Sequence, residues 1–188
     1  MASFSDLTLH TARLDLLPMA PAHTDAVFAM RSDPLVQRYG SHPPWTDRQM
    51  AVDYIARDMR AMAAGEHAQL AIVRREDGAV VGTCTLFELD EQCRRAEVGY
   101  TLLPAQWGKG YASEAVTALL DWGFEHLALN RVEADIDPRN APSVRALERL
   151  GFTREGHLRE RWIVGGEKSD SLMYGLLAGE WAARRKPR

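Results

Sequence analysis

A glycine-rich turn at residues 106–113 lies between an apolar strand pattern and a helical pattern, and its residue types suit the binding of an anion. Gly108 and Gly110 are two residues apart, which lets the backbone approach a ligand closely. The N–H groups of a first helical turn have no partners within the helix, and the helix dipole adds positive charge there. These residues predict a pyrophosphate site, with a turn that uses glycine only to reverse the chain as the alternative.

Two well-known phosphate loops fit this turn poorly. The dinucleotide fingerprint needs a third glycine three residues after the second, where this chain has Ser113. A P-loop needs serine or threonine after its Gly-Lys pair, but Lys109 is followed by Gly110. The turn is therefore expected to belong to another kind of phosphate-binding loop.

The run from Trp107 to Ala112 resembles the R/Q-x-x-G-x-G/A signature with which the GNAT superfamily of N-acetyltransferases holds the pyrophosphate of acetyl-CoA. Gly110 and Ala112 match its last two defined positions. Trp107 stands where the family has arginine or glutamine, which leaves the backbone contacts of the signature intact. The resemblance implies acetyl-CoA as the cosubstrate and no metal.

A second block makes the resemblance more specific. Asn140 and Ser143, with the downstream residues Leu147, Leu150 and Gly151-Phe152, are similar to the family's N-x-x-S-x-x-x-L-x-x-L-G-F segment. With the run Ala96–Tyr100, the blocks are most similar to the branch that acetylates the N-terminal alanine or serine of ribosomal proteins. From the residues alone, the same block also describes a core helix with an N-cap and a glycine terminator.

The resemblance implies a set of site residues. Its cofactor-binding positions are Leu102, Leu103, Gly108, Lys109, Gly110, Tyr111, Ala112, Ser113 and Asn140. It also implies a strand bulge near Leu102, whose backbone N–H would meet the acyl carbonyl. Its catalytic positions are Glu97, Asn140 and Ser143.

Acetyl transfer to an amine needs a proton acceptor and a proton for the departing thiolate. Glu97 is one candidate base, and strand alternation places Glu133, Asp135 and Asp137 together on one face as others. The alternative for these carboxylates is pairing with arginines such as Arg94, Arg95, Arg159 or Arg161. Ser143 is expected to hydrogen-bond the thiolate or protonate it through water, or only to support a helix start.

Composition limits the other function classes. The 188 residues are 46% hydrophobic with a net charge of −3, which gives no general attraction to nucleic acid. No signal segment or run of 18 apolar residues is found, so a cytoplasmic protein without a membrane partner is expected, as a monomer or homodimer. Cys84 and Cys93 are expected to be free thiols.

Strand and helix patterns alternate along the chain. Strands are predicted at residues 13–17, 68–74, 80–89, 94–103, 131–137, 152–158 and 168–177, and helices at 24–31, 47–64, 112–124 and 142–150. The resemblance implies a single α/β domain over residues 1–188, with a core at about 7–177 and a basic tail at 184–188. Its sheet would be mixed, mostly antiparallel and about seven-stranded, with a splayed pair forming the acetyl-CoA cleft between flanking helices.

The expected acceptor is the N-terminal α-amine of a protein or peptide. Such an amine has a pKa of ~7.7 to 8.0 against ~10.4 for a lysine side chain, so it needs only weak base assistance. This suits a chain with several carboxylates but no histidine in an evident catalytic motif. The alternatives are a small-molecule amine, such as a polyamine, an aminoglycoside or an amino acid, and an acyl-CoA-binding module without turnover.

Overall fold

One eight-stranded sheet organises the structure, a computed structural model that describes residues 3–185. The strands are β1 Leu9–His10, β2 Leu14–Pro18, β3 Ala68–Arg74, β4 Val80–Asp90, β5 Arg95–Leu102, β6 Arg131–Ile136, β7 Thr153–Val164 and β8 Glu167–Leu177. The helices are α1 Thr24–Ser32, α2 Pro34–Gln37, α3 Gln49–Ala64, α4 Tyr111–His126, α5 Ala141–Leu150 and α6 Ala178–Arg185. Short 3-10 turns stand at Pro21–His23 and Pro104–Gln106.

The strand order is β1-β2-β3-β4-β5-β6-β8-β7, and every neighbouring pair is antiparallel except the parallel pair β5 and β6. The predicted fold class, a mixed and mostly antiparallel sheet flanked by helices, is confirmed. The strand number of about seven was one too low, because β1 has only two residues and shows no alternation. The predicted hairpin between β3 and β4 turns through Gly78, which has a φ of +70°.

The splayed pair is formed by β5 and β6. Their ladder contains only three residue pairs, from Arg95 opposite Arg131 to Glu97 opposite Glu133. Beyond Glu97 both strands continue without pairing to each other, to Leu102 in β5 and to Ile136 in β6. The sheet therefore opens immediately after Glu97.

The bulge implied near Leu102 is not found in the pairing with β4. From Gly82 opposite Leu102 to Phe87 opposite Glu97, the two strands keep a regular register. The register shift lies at the other end, between Phe87 and Asp90, next to the turn. Since a bulge needs an extra residue on one strand, the regular ladder leaves no place for one at Leu102.

Helix α4 covers the sheet with the apolar stripe that its period predicts. Ala115, Val116, Leu119 and Leu120 are fully buried, and burial of each leucine stabilises the fold by roughly 1.5–3 kcal/mol. A smaller cluster beneath α1 and α3 contains Trp45. Packing fixes α4, and with it the glycine turn at its N-terminus, against the sheet.

Two features of the C-terminal part differ from the prediction. Strand β7 extends to Val164, six residues beyond its predicted end at residue 158. The basic tail was predicted at residues 184–188, but Arg184 and Arg185 belong to α6 and hydrogen-bond the Arg149 carbonyl and the Asp121 carboxylate. The remainder of that tail lies outside the described residues.

Both cysteines are free, Cys84 in the core and Cys93 at the surface. Among residues 3–185, no helix has the length and apolar content to cross a membrane. The same residues hold no cluster of metal-binding side chains.

Candidate active site

The glycine turn has the geometry of an anion site. Gly108 and Gly110 have φ values of +75° and +81°, a region that side-chain-bearing residues rarely adopt. Gly110 is the N-cap of α4, and no side chain caps that helix. The N–H groups of the first turn are therefore available to a pyrophosphate, whose charge the helix dipole favours.

Arg13 ties this turn to the rest of the sheet. Its guanidinium donates to the Lys109 carbonyl at 3.0 Å and to the Glu114 carboxylate at 2.7 Å, and it lies 4.7 Å from the centre of the Tyr111 ring. The same carboxylate accepts from the Thr11 hydroxyl at 2.7 Å. These contacts hold the turn and the first helical residues in place before any ligand binds. The sequence pattern did not identify Arg13, because it lies about 100 residues away in the chain.

Several predicted cofactor-binding residues can reach a ligand only through their backbone. The side chains of Leu102 and Tyr111 are buried in the core. Trp107, which replaces the arginine or glutamine of the signature, donates from its indole Nε1 to the Leu102 carbonyl at 2.9 Å. This bond connects the turn to the end of β5. The Lys109 ammonium is exposed and bonds to Gln106 at 3.1 Å.

The other predicted cofactor residues surround the same turn. The Leu103 N–H donates to the Val81 carbonyl at 3.0 Å, which fixes the chain where it leaves β5. Ala112 and Ser113 belong to the first turn of α4 and are half-buried. Asn140 lies apart from them, at the start of α5.

A cavity of about 1020 Å³ lies beside the splay. Its walls include all three predicted catalytic residues, Glu97, Asn140 and Ser143. The residues of the glycine turn are absent from its lining, so the two predicted groups occupy separate regions along β5. Trp162 of β7 also lines the cavity.

Glu97 has an altered acidity. Burial, followed by the nearby negative charge of Asp135, raises the pKa of its carboxyl to about 7. No salt bridge to Glu97 occurs within residues 3–185. The group stands in the last rung of the β5–β6 ladder, at the opening of the sheet. A carboxyl with this pKa can exchange a proton near neutral pH.

The other carboxylates predicted as bases are paired with arginines. Glu133 lies 3.2 Å from Arg95, Asp135 lies 2.9 Å from Arg161, and Asp137 lies 2.6 Å from Arg139. Asp135 also accepts from the indole N–H of Trp162 at 3.1 Å. The alternative of charge pairing therefore describes these three residues, and Glu97 is left as the unpaired base candidate.

The start of α5 carries the other two candidates. The Asn140 side-chain oxygen accepts from the Ser143 N–H at 3.3 Å, which is the predicted N-cap. The hydroxyl of Tyr100 donates to the Ser143 carbonyl at 3.5 Å. Burial raises the pKa of Tyr100, so its hydroxyl stays protonated at neutral pH. Strand alternation puts Tyr100 on the face opposite Glu97, yet both residues line the cavity beside the splay.

Comparison with known proteins identifies the family. Residues 13–153 match the model of the acetyltransferase (GNAT) domain. An uncharacterized N-acetyltransferase, p20 of Bacillus licheniformis, is 40% identical over 93% of this chain and 98% of its own. A solved structure described as "a putative ribosomal-protein-serine acetyltransferase from Vibrio cholerae" is 26% identical with a TM-score of 0.81, over 94% of this chain and 99% of that one.

A further relative is named for a different acceptor. The spermidine N(1)-acetyltransferase of Escherichia coli is 28% identical over 58% of this chain and 59% of its own. These relatives share the reaction type, and the two whose names specify an acceptor differ in it. The chain belongs to the GNAT family and is an acetyl-CoA-dependent N-acetyltransferase.

Proposed function

We propose that this enzyme acetylates the N-terminal α-amine of a protein or peptide, with Glu97 as the base. The observation that carries this proposal is the unpaired Glu97 carboxyl, whose pKa is about 7, at the opening of the sheet. The amine nitrogen attacks the thioester carbonyl carbon, the carbon–sulfur bond breaks, and coenzyme A leaves as a thiolate. Glu97 takes the proton of the amine.

The pKa of Glu97 supports an α-amine over a lysine-like amine. Proton transfer from an α-ammonium, with a pKa of ~7.7 to 8.0, to a carboxylate at about 7 spans roughly one unit. Transfer from an alkylammonium at ~10.4 spans about 3.4 units, and each unit costs about 1.36 kcal/mol. The pKa of the base is therefore matched to the more acidic of the two ammonium groups, that of the α-amine.

We assign Ser143 to the departing thiolate. Ser143 lines the cavity, next to the hydroxyl of Tyr100. Tyr100 contacts the backbone carbonyl of the same residue and positions the start of α5. The Ser143 hydroxyl would donate a hydrogen bond to the thiolate, and a proton passed on to the sulfur would be replaced at the serine oxygen by one from water.

The glycine turn is assigned to acetyl-CoA. The free N–H groups of the first turn of α4 fit a pyrophosphate, and the backbone at Gly108 and Gly110 allows close approach. The arm of the cofactor would then follow β5 toward Glu97. This path would connect the glycine turn with the predicted catalytic residues in the cavity.

A polyamine acceptor is the second candidate, because one relative is a spermidine acetyltransferase. The charges of the cavity favour it less. Three carboxylates that would attract a polycation, Glu133, Asp135 and Asp137, are already neutralised by arginines. An aminoglycoside or amino acid, and a module that binds acyl-CoA without turnover, complete the alternatives.

The test is release of coenzyme A thiol from acetyl-CoA with a panel of amines at neutral pH. We expect peptides with a free N-terminus to give the highest kcat/KM, and the same peptides with a blocked N-terminus to give none. Spermidine ranking first would replace the proposed acceptor. Cofactor binding without release for any acceptor would support the non-catalytic module.

A further inference from the structure

Arg31, at the end of α1, differs from three other arginines of the cavity wall in its charge partners. Arg95, Arg139 and Arg161 each form a salt bridge with a carboxylate. Across residues 3–185, Arg31 has no carboxylate within 4.0 Å, although its side chain is half-buried and lines the cavity. Arg38, also without a carboxylate, is exposed and lies over the Tyr39 ring. Arg31 is thus a partly desolvated cation whose charge is not offset.

Neutral groups hold the Arg31 guanidinium in position. It contacts His42 Nε2 at 3.1 Å and donates to the Tyr54 hydroxyl at 3.2 Å. The Nδ1 atom of His42 faces the Pro43 carbonyl at 2.8 Å and must donate to it, so Nε2 is the acceptor. Burial and the positive charge of Arg31 lower the pKa of His42, which agrees with a neutral ring.

This arrangement leaves N–H donors of the Arg31 guanidinium free. A guanidinium has five N–H donors, and the bonds to His42 and Tyr54 occupy two of them. The Tyr54 and Trp45 rings lie 5.3 and 6.0 Å from the Arg31 guanidinium carbon. Aromatic rings and neutral acceptors orient a cation without cancelling its charge. The fork can therefore bind an oxyanion through two N–H groups.

The distance between Arg31 and Glu97 follows from the pairing of the strands between them. Tyr54, which contacts Arg31, also accepts a hydrogen bond from Gln69 of β3. Gln69 pairs with Thr85 of β4, and Thr85 pairs with Gly99 of β5. Two strand spacings are about 9 to 10 Å. Glu97 is two residues from Gly99 on the same face, which adds an offset of about 6.6 Å along the strand. Combined with the lateral spacing, this offset places an anion at Arg31 roughly 12 Å from an amine at Glu97.

We infer that Arg31 binds a carboxylate of the acceptor, carried by the third residue of a peptide whose N-terminus lies at Glu97. An extended peptide advances about 3.3 Å per residue, so a carboxylate on the third residue lies roughly 10–12 Å from the amine and spans the gap, whereas the α-carboxylate of a free amino acid is too close to its amine. This inference rests on the proposed function. The carboxylate is either an acidic side chain or the C-terminus of a short peptide, and the acceptors below separate the two sources.

The test compares acceptors on the same enzyme sample. The probes are Ala-Ala-Ala-amide, Ala-Ala-Asp-amide, Ala-Asp-Ala-amide and Ala-Ala-Ala with a free C-terminus, assayed by thiol release from acetyl-CoA. We expect at least one carboxylate peptide to exceed the neutral amide by about 10- to 100-fold in kcat/KM, the range of a charge-assisted hydrogen bond. Preference for the Asp peptides identifies a side chain, and preference for the free acid identifies a C-terminus.

Arg31→Gln should abolish this preference, so that the carboxylate peptides and the neutral amide react with kcat/KM values within about threefold of each other. A ratio between two acceptors does not depend on the folded fraction, so partial misfolding cannot mimic the result. The matched control is Arg57→Gln, which removes an exposed arginine 5.8 Å from the same Tyr54 ring but outside the cavity lining. It should keep the preference.

Two outcomes would overturn the inference in different ways. If every peptide reacts equally well, or if Arg31→Gln retains the preference, the carboxylate subsite is wrong and the proposed function stands. If no peptide releases thiol while spermidine does, the proposed function fails and the subsite fails with it.

Discussion

Glu97 differs from the other carboxylates of the cavity in its surroundings rather than in its type. Asp135 and Glu133 each have an arginine within 3.2 Å, which offsets the negative charge. Glu97 has no such partner, and burial disfavours its charge, so its pKa rises to about 7. Perturbed acidity of this kind is common at active sites, and here it coincides with the opening of the sheet.

Replacement of Glu97 by glutamine keeps the side-chain volume and removes the base. We expect kcat to fall by about 10²- to 10⁴-fold. In the parent enzyme, kcat at saturating acceptor should decrease as the pH falls through about 7, because the base becomes protonated. This decrease should be missing in Glu97→Gln. An equal decrease in both proteins would assign it to the acceptor amine and contradict the role of Glu97.

Glu88→Gln is the matched control, because it removes an exposed carboxylate that lines the same cavity.

The Glu97→Gln variant also permits a measurement without substrate, the pH dependence of the free energy of unfolding. The folded chain keeps the Glu97 proton up to about pH 7, whereas the unfolded chain releases it near the ordinary value of 4.5. Between these values the folded state binds more protons, so this group lowers the free energy of unfolding as pH rises. Relative to the parent, Glu97→Gln should become more stable across that window.

Ser143→Ala tests the assignment of the thiolate partner. The hydroxyl would act on charge that develops in the transition state, so kcat should fall at least tenfold while acetyl-CoA affinity stays within about twofold. The Asn140 cap uses the backbone N–H of residue 143 and is kept in the variant. A kcat within about twofold of the parent would leave Ser143 with only a structural role.

At the scale of elements, the glycine turn depends on two parts of the chain that are distant in sequence. The N-terminus of α4 provides free N–H groups, and Arg13 before β2 fixes the turn through the Lys109 carbonyl. A β-carbon at Gly110 would lie 3.4 Å from Arg13 Nη2, in ordinary van der Waals contact with it. The positive φ at Gly110 constrains the residue at this position.

Gly110→Val should abolish coenzyme A binding, because a β-branched residue is strained at a φ of +81° and blocks close approach of the pyrophosphate. Calorimetry with coenzyme A measures the loss. The control is Gly166→Val in the turn between β7 and β8, where φ is +85° and no heavy atom lies within 4 Å of the added β-carbon. That variant carries similar strain but should bind normally. Unchanged affinity in folded Gly110→Val would falsify the placement of the cofactor.

Local sequence patterns predicted the elements with a buried face well and the mostly exposed segments poorly. Alternation and helical period correctly located α4, α5 and β6, whose buried faces follow from residue spacing. The end of β7 was missed, because its side chains are almost all exposed and give no alternating burial. Helix α6 was missed in the same way, since only Trp181 of its residues is buried.

Motif resemblance identified only part of the candidate site. It made Glu97 and Ser143 candidates, while Arg13, Arg31 and Tyr100 were not predicted. Their roles depend on contacts with residues far along the chain, which no local pattern records.

At the scale of the whole molecule, the cofactor would connect the glycine turn at one end of β5 with Glu97 at the other. Both ends are fixed to the same sheet, by Arg13 and Trp107 at the turn and by the β5–β6 ladder at Glu97. A ligand that spans them binds the folded chain and finds no such arrangement in the unfolded chain. Binding must therefore shift the unfolding equilibrium of the entire domain.

Acetyl-CoA should accordingly raise the melting temperature. At 100 times its Kd, a ligand specific for the folded state adds about 2.7 kcal/mol to the free energy of unfolding. For a domain of this size, each kcal/mol corresponds to roughly 2–4 °C, so an increase of about 5–10 °C is expected in a thermal melt. AMP lacks the pantetheine arm and should give a smaller increase. Gly110→Val should give none, which separates specific binding from a general salt effect, and an unchanged melting temperature of the parent at millimolar acetyl-CoA would contradict the proposed site.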